Sequence, residues 1–509
     1  MIDATPLLKL YARHRLNALA RQDPVAAQER VLLGLLRRAK RTRFGRDHGF
    51  ESIRTVAEYQ RRVPLRTYHD FWREYWGSDF PHLQDCTWPG LIRYFADTSG
   101  TTSGVRKHIP VSRAMLSSNT RAAFDLFVHH LAHHPASRLL AGKNFILGGS
   151  TALIEAAPGI YHGDLSGIMV NEVPGWARRF AFPPPELGRE HDWEKKTTRL
   201  AELSLGEDIR SFGGTPSWVL LFIDKLLALR PGARTLADVY PHLELLVHGG
   251  VDFRPYRAMF ERLLEGGSAE LREVYPASEG FIAIADRGSG EGLRLLVDNG
   301  LFFEFVPAEE LDATRPTRHW VGDVETGVTY AVVLTTCAGL WSYVLGDTVR
   351  LIDKRPGRLL VTGRTSQFLS AFGEHLSGEH VANAVTEAAA AIGTGIADYT
   401  VGPLFPTHEG ERGRHLFIVE FMPPVDEEAR LAGFAEAVDR SLKMANHEYE
   451  EYRRHDHQIA PPRIHPAPSG TFARWMERQG KSGGQHKVPR ILRDPDQLLE
   501  LFSFAGGKR

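Results

Sequence analysis

The stretch FADTSGTTSGVRKHIPVS, Phe95 to Ser112, crowds hydroxyls, bare backbone amides and positive charge into one short segment. Gly100 and Gly104 let the chain turn tightly, so that backbone N–H groups converge on one point. Thr98, Ser99, Thr101, Thr102 and Ser103 add hydroxyl donors, and Arg106 and Lys107 add charge. That inventory suits an oxyanion, and a polyphosphate above all. It is not a Walker A loop: counted from Gly100, the second glycine of G-x-x-x-x-G-K-[ST] falls on Val105. The dinucleotide fingerprint G-x-G-x-x-G fails as well. The competing reading is a Ser/Thr-rich surface turn, and the rest of the chain must decide.

The 509 residues suffice for a large core and an appended module. Lys plus Arg and Asp plus Glu number 62 each, and this balance argues against a general nucleic-acid binder. Cys86 and Cys337 make neither a disulfide framework nor a zinc motif. The opening MIDATPLLKLYARHRLNALA lacks the layout of a signal peptide, and no run of 18 apolar residues occurs. The expectation is a cytosolic protein that does not span a membrane.

Residues 5–40 read as helices, as does VPLRTYHDFWREYW after Pro64. VSRAMLSSNTRAAFDLFVHHLAHH predicts a long helix with Ser112 or Ser117 as N-cap. Its four histidines lack the carboxylate of an H-E-x-x-H motif, and a solvated helix end is the expectation. Apolar runs then alternate with helical patterns: NFILGG, LELLVHGG, GFIAIAD, LRLLVD, LFFEFVP, YAVVLTT, VRLID and RLLVTG. This alternation predicts an α/β fold with mixed sheets, with hairpins from about 325 to 365. Beyond about 370, GEHVANAVTEAAAAIG, HLFIVEFM and a long helical stretch describe a smaller α+β domain. The expected division is 1–368 and 369–509, with SQFLSAFGEHLSG as hinge.

Four more pieces look chemical. VYPASEG carries Tyr275, Ala277, Ser278 and Glu279. LWSYVLGDTVRL places Gly346 and Asp347 in an expected tight turn. VTGRTSQFLSAFGEHLS carries Arg364, and GGQHKVPR carries Lys487 and Arg490. Each alone is weak, but their order is that of the parts in adenylate-forming ligases. The chain resembles the acyl-acid-amido synthetases first known as auxin-inducible plant proteins, in their shorter bacterial form. SGTTSGVRKHIPVS, YPASEG and YVLGDTVRL resemble that family's nucleotide motifs. LFFEFVP, HGGVDFRPYRAMFERLL and GTFARWMERQGKSGGQHKVPR are similar to family blocks in the same order.

The resemblance implies a large N-terminal domain with mixed sheets and a barrel-like part, and a C-terminal domain that rotates. It implies ATP and Mg²⁺, a carboxylic acid substrate and an amine, usually of an amino acid. Thr98, Ser99, Gly100, Thr101, Thr102, Ser103 and Lys107 would hold the β- and γ-phosphates. Glu279 would hold the metal, and Tyr275, Ala277 and Ser278 would flank adenine. Asp347, with Arg364 nearby, would hold the ribose hydroxyls. Lys487 would be catalytic, bridging the carboxylate and the α-phosphate. The hinge would lie between Ser366 and Gly373.

Departures from the family pattern are Thr98 for serine, Trp341-Ser342-Tyr343 for Tyr-Arg-Tyr, Pro276 after Tyr275, and His375 where lysine is frequent. The Ser342 change removes an expected cation near the ribose. Phe124, Phe127, Trp218 and Leu221 are the candidate lining of an apolar or aryl acid pocket. Two other readings stand beside amide formation. A coenzyme A ligase predicts thiol-dependent AMP release, and a silent nucleotide-binding relative predicts binding without turnover.

Overall fold

The glycines of the opening stretch lie between two strands. A computed structural model describes residues 3–99, 106–184, 186–187, 193–250, 253, 256–288, 290–311, 313–365, 368–369, 371–372, 374, 376–405, 412–453, 459–479, 488–492 and 494–507. In it β1 (Tyr94–Ser99) and β2 (Arg106–Val111) run antiparallel, with Asp97 opposite His108 and Thr98 opposite Lys107. With β4 (Ile154–Ala157) and β5 (Ile160–Gly163) they form a sheet ordered β2-β1-β5-β4. The helix Arg113–His133 follows β2, and Ser112 Oγ accepts from Met115 N at 3.1 Å. Ser112 is therefore the N-cap, while the Ser117 hydroxyl donates back to Arg113 O at 3.1 Å.

Every one of the eight apolar runs is a strand. The parallel arm of the main sheet comprises β3 (Lys143–Leu147), β6 (Ala181–Phe182), β7 (Ile209–Gly214), β8 (Leu245–Gly249) and β9 (Glu270–Ala277). The other arm comprises β10 (Gly280–Ile284), β11 (Leu293–Leu295), β12 (Leu301–Pro307) and β13 (His319–Trp320). It continues with β14 (Thr329–Thr336), β15 (Tyr343–Asp353) and β16 (Arg358–Arg364). The full order is β13-β12-β14-β15-β16-β11-β10-β9-β8-β7-β3-β6. The part expected to be barrel-like is thus continuous with the parallel arm, and β13 and β6 are the sheet's edges.

Burial on both faces explains the unbroken apolar reading of β12. Phe302, Phe303 and Phe305 are fully buried, each contributing about 2–3 kcal/mol of transfer free energy. The one charge in that strand, Glu304, is equally buried and pairs with Arg318 at 2.7 Å.

By its contacts the chain forms two units, Met1–Gly250 with Leu264–Val361, and Val251–Leu263 with Thr362–Arg509. The division falls just before the expected 368/369 boundary. It also gives the helix Arg257–Leu263, the crossover between β8 and β9, to the second unit. That helix carries Tyr256 before it, whose hydroxyl accepts from Arg490 at 3.2 Å.

The second unit has the expected α+β content. A short pair, β17 (Phe368–Leu369) with β18 (Leu376–Ser377), precedes the helix Gly378–Ala391, which Ser377 caps. The sheet is β19 (Gly395–Leu404), β20 (Arg414–Met422) and β21 (Arg463–Pro466), in that order. Helices Glu428–Ala445 and His447–Arg453 realise the long helical stretch as two pieces.

Candidate active site

Glu279 stands at a hairpin tip and yet is only 8% exposed. The register Ala277 opposite Gly280 leaves Ser278 and Glu279 as the whole turn between β9 and β10. Gly280 has φ +154°, and a Cβ there would lie 2.8 Å from Leu301 Cδ2, so only glycine lets the tip fold down onto β12. Tyr343 donates to Glu279 Oε1 at 3.0 Å. Burial raises the Glu279 carboxyl above its ordinary value, against the hydrogen bond from Tyr343 and the charge of Lys107. Burial likewise lifts the Tyr343 phenol well above its ordinary value, reinforced by Glu279. Tyr343 was missed in the sequence, although it lies inside a quoted motif, because a tyrosine flanking a turn carries no pattern of its own.

Asp347 is not in a turn between strands. It sits within the continuous strand β15, where residues 345–347 bulge between the pairs Val333–Val344 and Ala331–Thr348. Gly346 at φ +91° makes the bulge. The bulge aims Asp347 at β9, where the Tyr275 hydroxyl donates to Asp347 Oδ2 at 2.7 Å. Asp347 and Lys107 both act electrostatically on Glu279. Lys107, Tyr275, Glu279 and Asp347, which come from three distant motifs, therefore share one locality in the first unit.

The remaining expectations fall unevenly. Thr98 lies in β1 opposite Lys107, and Ser99 ends that strand; Gly100, Thr101, Thr102 and Ser103 lie outside the described residues. Ala277 closes β9 and Ser278 opens the turn. Arg364 closes β16 at the start of the second unit. Lys487 lies outside the described residues, as do Ser366 and Gly373 at the two ends of the expected hinge.

Phe124 and Phe127 lie against the first helix. With Val128 and Leu131 they make an i, i+3, i+4, i+7 stripe that packs on Leu8, Ala12 and Leu16 of the helix Thr5–Ala20. The face of the same helix that meets the sheet is Ala122 and Leu126, against Val274 and Ile284. The two phenylalanines therefore serve helix packing. Trp218 and Leu221 lie on the helix Pro216–Ala228, where Val219, Phe222 and Ile223 are fully buried; Trp218 is half-buried and Leu221 is 46% exposed.

Trp341 is wholly buried, 4.6 Å from the Phe50 ring and donating from Nε1 to Thr87 O at 2.9 Å. Ser342 is buried too, and Arg318 reaches its Oγ at 2.7 Å. The Arg318 guanidinium, from the residue just before β13, thus stands beside the position where the family pattern carries its own.

The histidine-rich helix end is only partly solvated: His133 is exposed as expected, whereas His129 and His130 are buried. His130 Nδ1 donates to Glu270 Oε1 (2.6 Å), its Nε2 lies 3.1 Å from Ser137 Oγ, and His133 meets Arg272 at 2.6 Å. Glu244 and Glu270 pull the helix end inward; despite burial, His130 and its neighbours hold both carboxyls down to about 2.

Comparison with known proteins decides the family. Residues 13–170 match the GH3 family N-terminal domain, 294–364 its central domain and 379–496 its C-terminal domain. The chain belongs to the GH3 family. A probable indole-3-acetic acid-amido synthetase GH3.2 of Oryza sativa subsp. japonica is 22% identical over 92% of this chain and 88% of its own length. Indole-3-acetic acid-amido synthetase GH3.3 of Arabidopsis thaliana is 27% identical, over 49% of this chain and 43% of its own length. Among solved structures, the GH3.15 acyl acid amido synthetase in complex with 2,4-DB shares the fold at TM-score 0.81 and 18% identity, covering 97% of this chain and 96% of that one. A 2-hydroxyisobutyryl-CoA ligase shares it at TM-score 0.61 and 14% identity, over 94% and 91%. This GH3 chain thus has the α/β fold of the adenylate-forming ligases. No helix among its described residues is long and apolar enough to cross a membrane.

The donors at Glu279 fit Mg²⁺. A single buried carboxylate beside a phenol offers hard oxygen, which is what Mg²⁺ takes when phosphates and water complete its shell. Burial disfavours a bare charge on this carboxyl, and a bound cation would offset that cost.

Proposed function

We propose that this GH3 chain is an ATP-dependent acid–amino acid ligase of the AMP-forming type. A carboxylate oxygen attacks the α-phosphorus, the bond to the β-phosphate breaks, and pyrophosphate leaves. An amine then attacks the acyl carbonyl, the bond to AMP breaks, and the amine loses a proton. The observation that supports this best is the buried Glu279 carboxylate, with Tyr343 on it and Lys107 and Asp347 within electrostatic reach.

In this reading the loop from Thr98 to Ser103 and Lys107 hold the β- and γ-phosphates. Tyr275, Ala277 and Ser278 flank adenine, and Asp347, oriented by Tyr275, accepts from the ribose hydroxyls, with Arg364 assisting. Glu279 holds Mg²⁺, which when bound neutralises phosphate charge. Lys487 arrives with a rotation of the second unit and neutralises charge between carboxylate and α-phosphate. The acid is apolar or aryl, with Trp218 and Leu221 as the remaining pocket candidates. The named acids of relatives, indole-3-acetic acid and 4-substituted benzoates, are aryl acids too. The free, buried Cys86 and Cys337 suit a reducing cytosol.

The test is ATP–pyrophosphate exchange with Mg²⁺ and pooled aryl, indolyl, fatty and amino acids. Acid-dependent exchange that falls by about 10²–10³ in Lys487→Ala is expected, with amide formation from supplied acyl-adenylate nearly unchanged. AMP release driven by coenzyme A rather than by amines would replace the amide with a thioester. Nucleotide binding without exchange in any pool would sink the enzyme reading.

A further inference from the structure

Across β1, β2 and β5 lies a side-chain cluster that the proposed reaction does not use. Asp97 and His108 are direct cross-strand partners, and His162 on β5 is paired with Phe95, on the same face of β1 as Asp97. His108 Nδ1 is 2.8 Å from Asp97 Oδ1, and His162 Nδ1 is 2.8 Å from Asp97 Oδ2. One donor atom from each residue lies within 4.8 Å of the others. Asp97 is only 8% exposed; burial would raise its carboxyl, but the two imidazoles outweigh that and hold it low. Packing also sets the rings, because Phe80 stacks on His108 at 5.0 Å and 26°.

We propose that Asp97, His108 and His162 bind a borderline transition-metal ion, with Zn²⁺ as the probe, separate from Mg²⁺ at Glu279. Two imidazole nitrogens and one carboxylate oxygen are a donor set for zinc-like ions, whereas Mg²⁺ takes oxygen. Bonds of about 2.0–2.2 Å in a tetrahedral shell put neighbouring donors roughly 3.4 Å apart. The 2.8 Å contacts need only a small spreading to reach that. The imidazoles keep 19% and 15% of their side-chain area exposed, which leaves an open side for a water ligand. The other histidine cluster, His130, His134 and Glu270, is the poorer host: Arg272 already sits 2.6 Å from Glu270 and its charge opposes a cation.

The position gives the ion its effect. Asp97 immediately precedes Thr98, and His108 immediately follows Lys107. An ion there clamps both strands of the hairpin at the root of the glycine loop and ties them to β5.

The experiment uses the whole chain, stripped with a chelator and titrated with Zn²⁺, Co²⁺ and, as control, Mg²⁺. One Zn²⁺ per chain is expected, with a melting temperature raised by about 3 °C or more at a hundredfold excess over Kd. Co²⁺ should give visible absorption, and Mg²⁺ neither effect at this site. His162→Gln should weaken zinc at least tenfold, and Asp97→Asn likewise; His162→Gln carries the test if the aspartate variant does not fold. Equal zinc affinity in wild type and His162→Gln would overturn the proposal, as would zinc that stabilises no more than Mg²⁺. None of these readouts requires turnover, so they stand or fall apart from the ligase reading.

Discussion

The Tyr275 hydroxyl donates to Asp347 Oδ2 at 2.7 Å, joining two motifs 72 residues apart. The bond locks the carboxylate of a strand bulge against the β9–β10 hairpin. A hydrogen bond to a charged group is worth about 1.5–3 kcal/mol where it is well buried. Tyr275→Phe is therefore expected to raise the KM for ATP by about tenfold while kcat changes less. Steady-state exchange at varied ATP checks this, and an unchanged KM would free Asp347 from its ribose role.

Glu279 predicts opposite effects on activity and stability. Its carboxyl is raised by burial, so the folded chain binds that proton more tightly than the unfolded chain. The contribution is favourable below the unfolded value and is lost as pH rises through the raised folded value. Glu279→Gln, which keeps an acceptor for Tyr343, should thus melt higher than wild type at pH 7–8, with the difference vanishing below about pH 4. Exchange activity should fall by about 10²–10³ in the same variant. Melting curves from pH 4 to 8 decide; a variant less stable at neutral pH contradicts the burial argument.

Helix packing and substrate choice separate at two aromatic positions. Phe124 packs on the N-terminal helix, 6.0 Å from the Tyr11 ring. Phe124→Ala should cost about 2–4 kcal/mol in denaturant unfolding, with the order of acid preference intact. Trp218→Ala should alter that order with a smaller loss of stability. A profile of exchange rates over the acid pools distinguishes the two, and no change for Trp218→Ala removes the last aromatic from the pocket.

Arg490 anchors the chain that follows Lys487. Its guanidinium pairs with Asp398, donates to Tyr399 O at 3.1 Å and lies 4.4 Å over the Tyr399 ring. Arg490→Met strands the Asp398 carboxylate in a site where its side chain is 16% exposed, at an expected cost of about 3 kcal/mol. Adding Asp398→Leu should return more than half of it. Urea titration of the single and double variants measures both numbers.

The strands were legible because their signal is local. Eight apolar runs bounded by turn residues became eight strands, and Ser112, one of the two candidate caps, capped the helix that follows it. The order of Tyr275, Glu279 and Asp347 was legible too, and folding brings them together. What escaped the sequence depends on partners far along the chain. Gly346-Asp347 looks like a turn until β14 is seen running past it. His130 looks solvated until Glu244 and Glu270 close over it. Phe124 and Phe127 are aromatic on any helix face; only the helix Thr5–Ala20 says which one they serve.

The helix Arg257–Leu263 is drawn from the middle of one unit and belongs to the other. The two units are therefore not beads that a single recombination event can exchange. A chimaera joined only at residue 362 would marry Arg490 to a foreign counterpart of Tyr256, and Gly395 to a foreign counterpart of Met259, whose sulfur lies 3.7 Å from where a Cβ at that glycine would sit. Inheritance of this C-terminal unit travels with a passage of thirteen residues from Val251 to Leu263, and grafts between relatives should carry both pieces or neither.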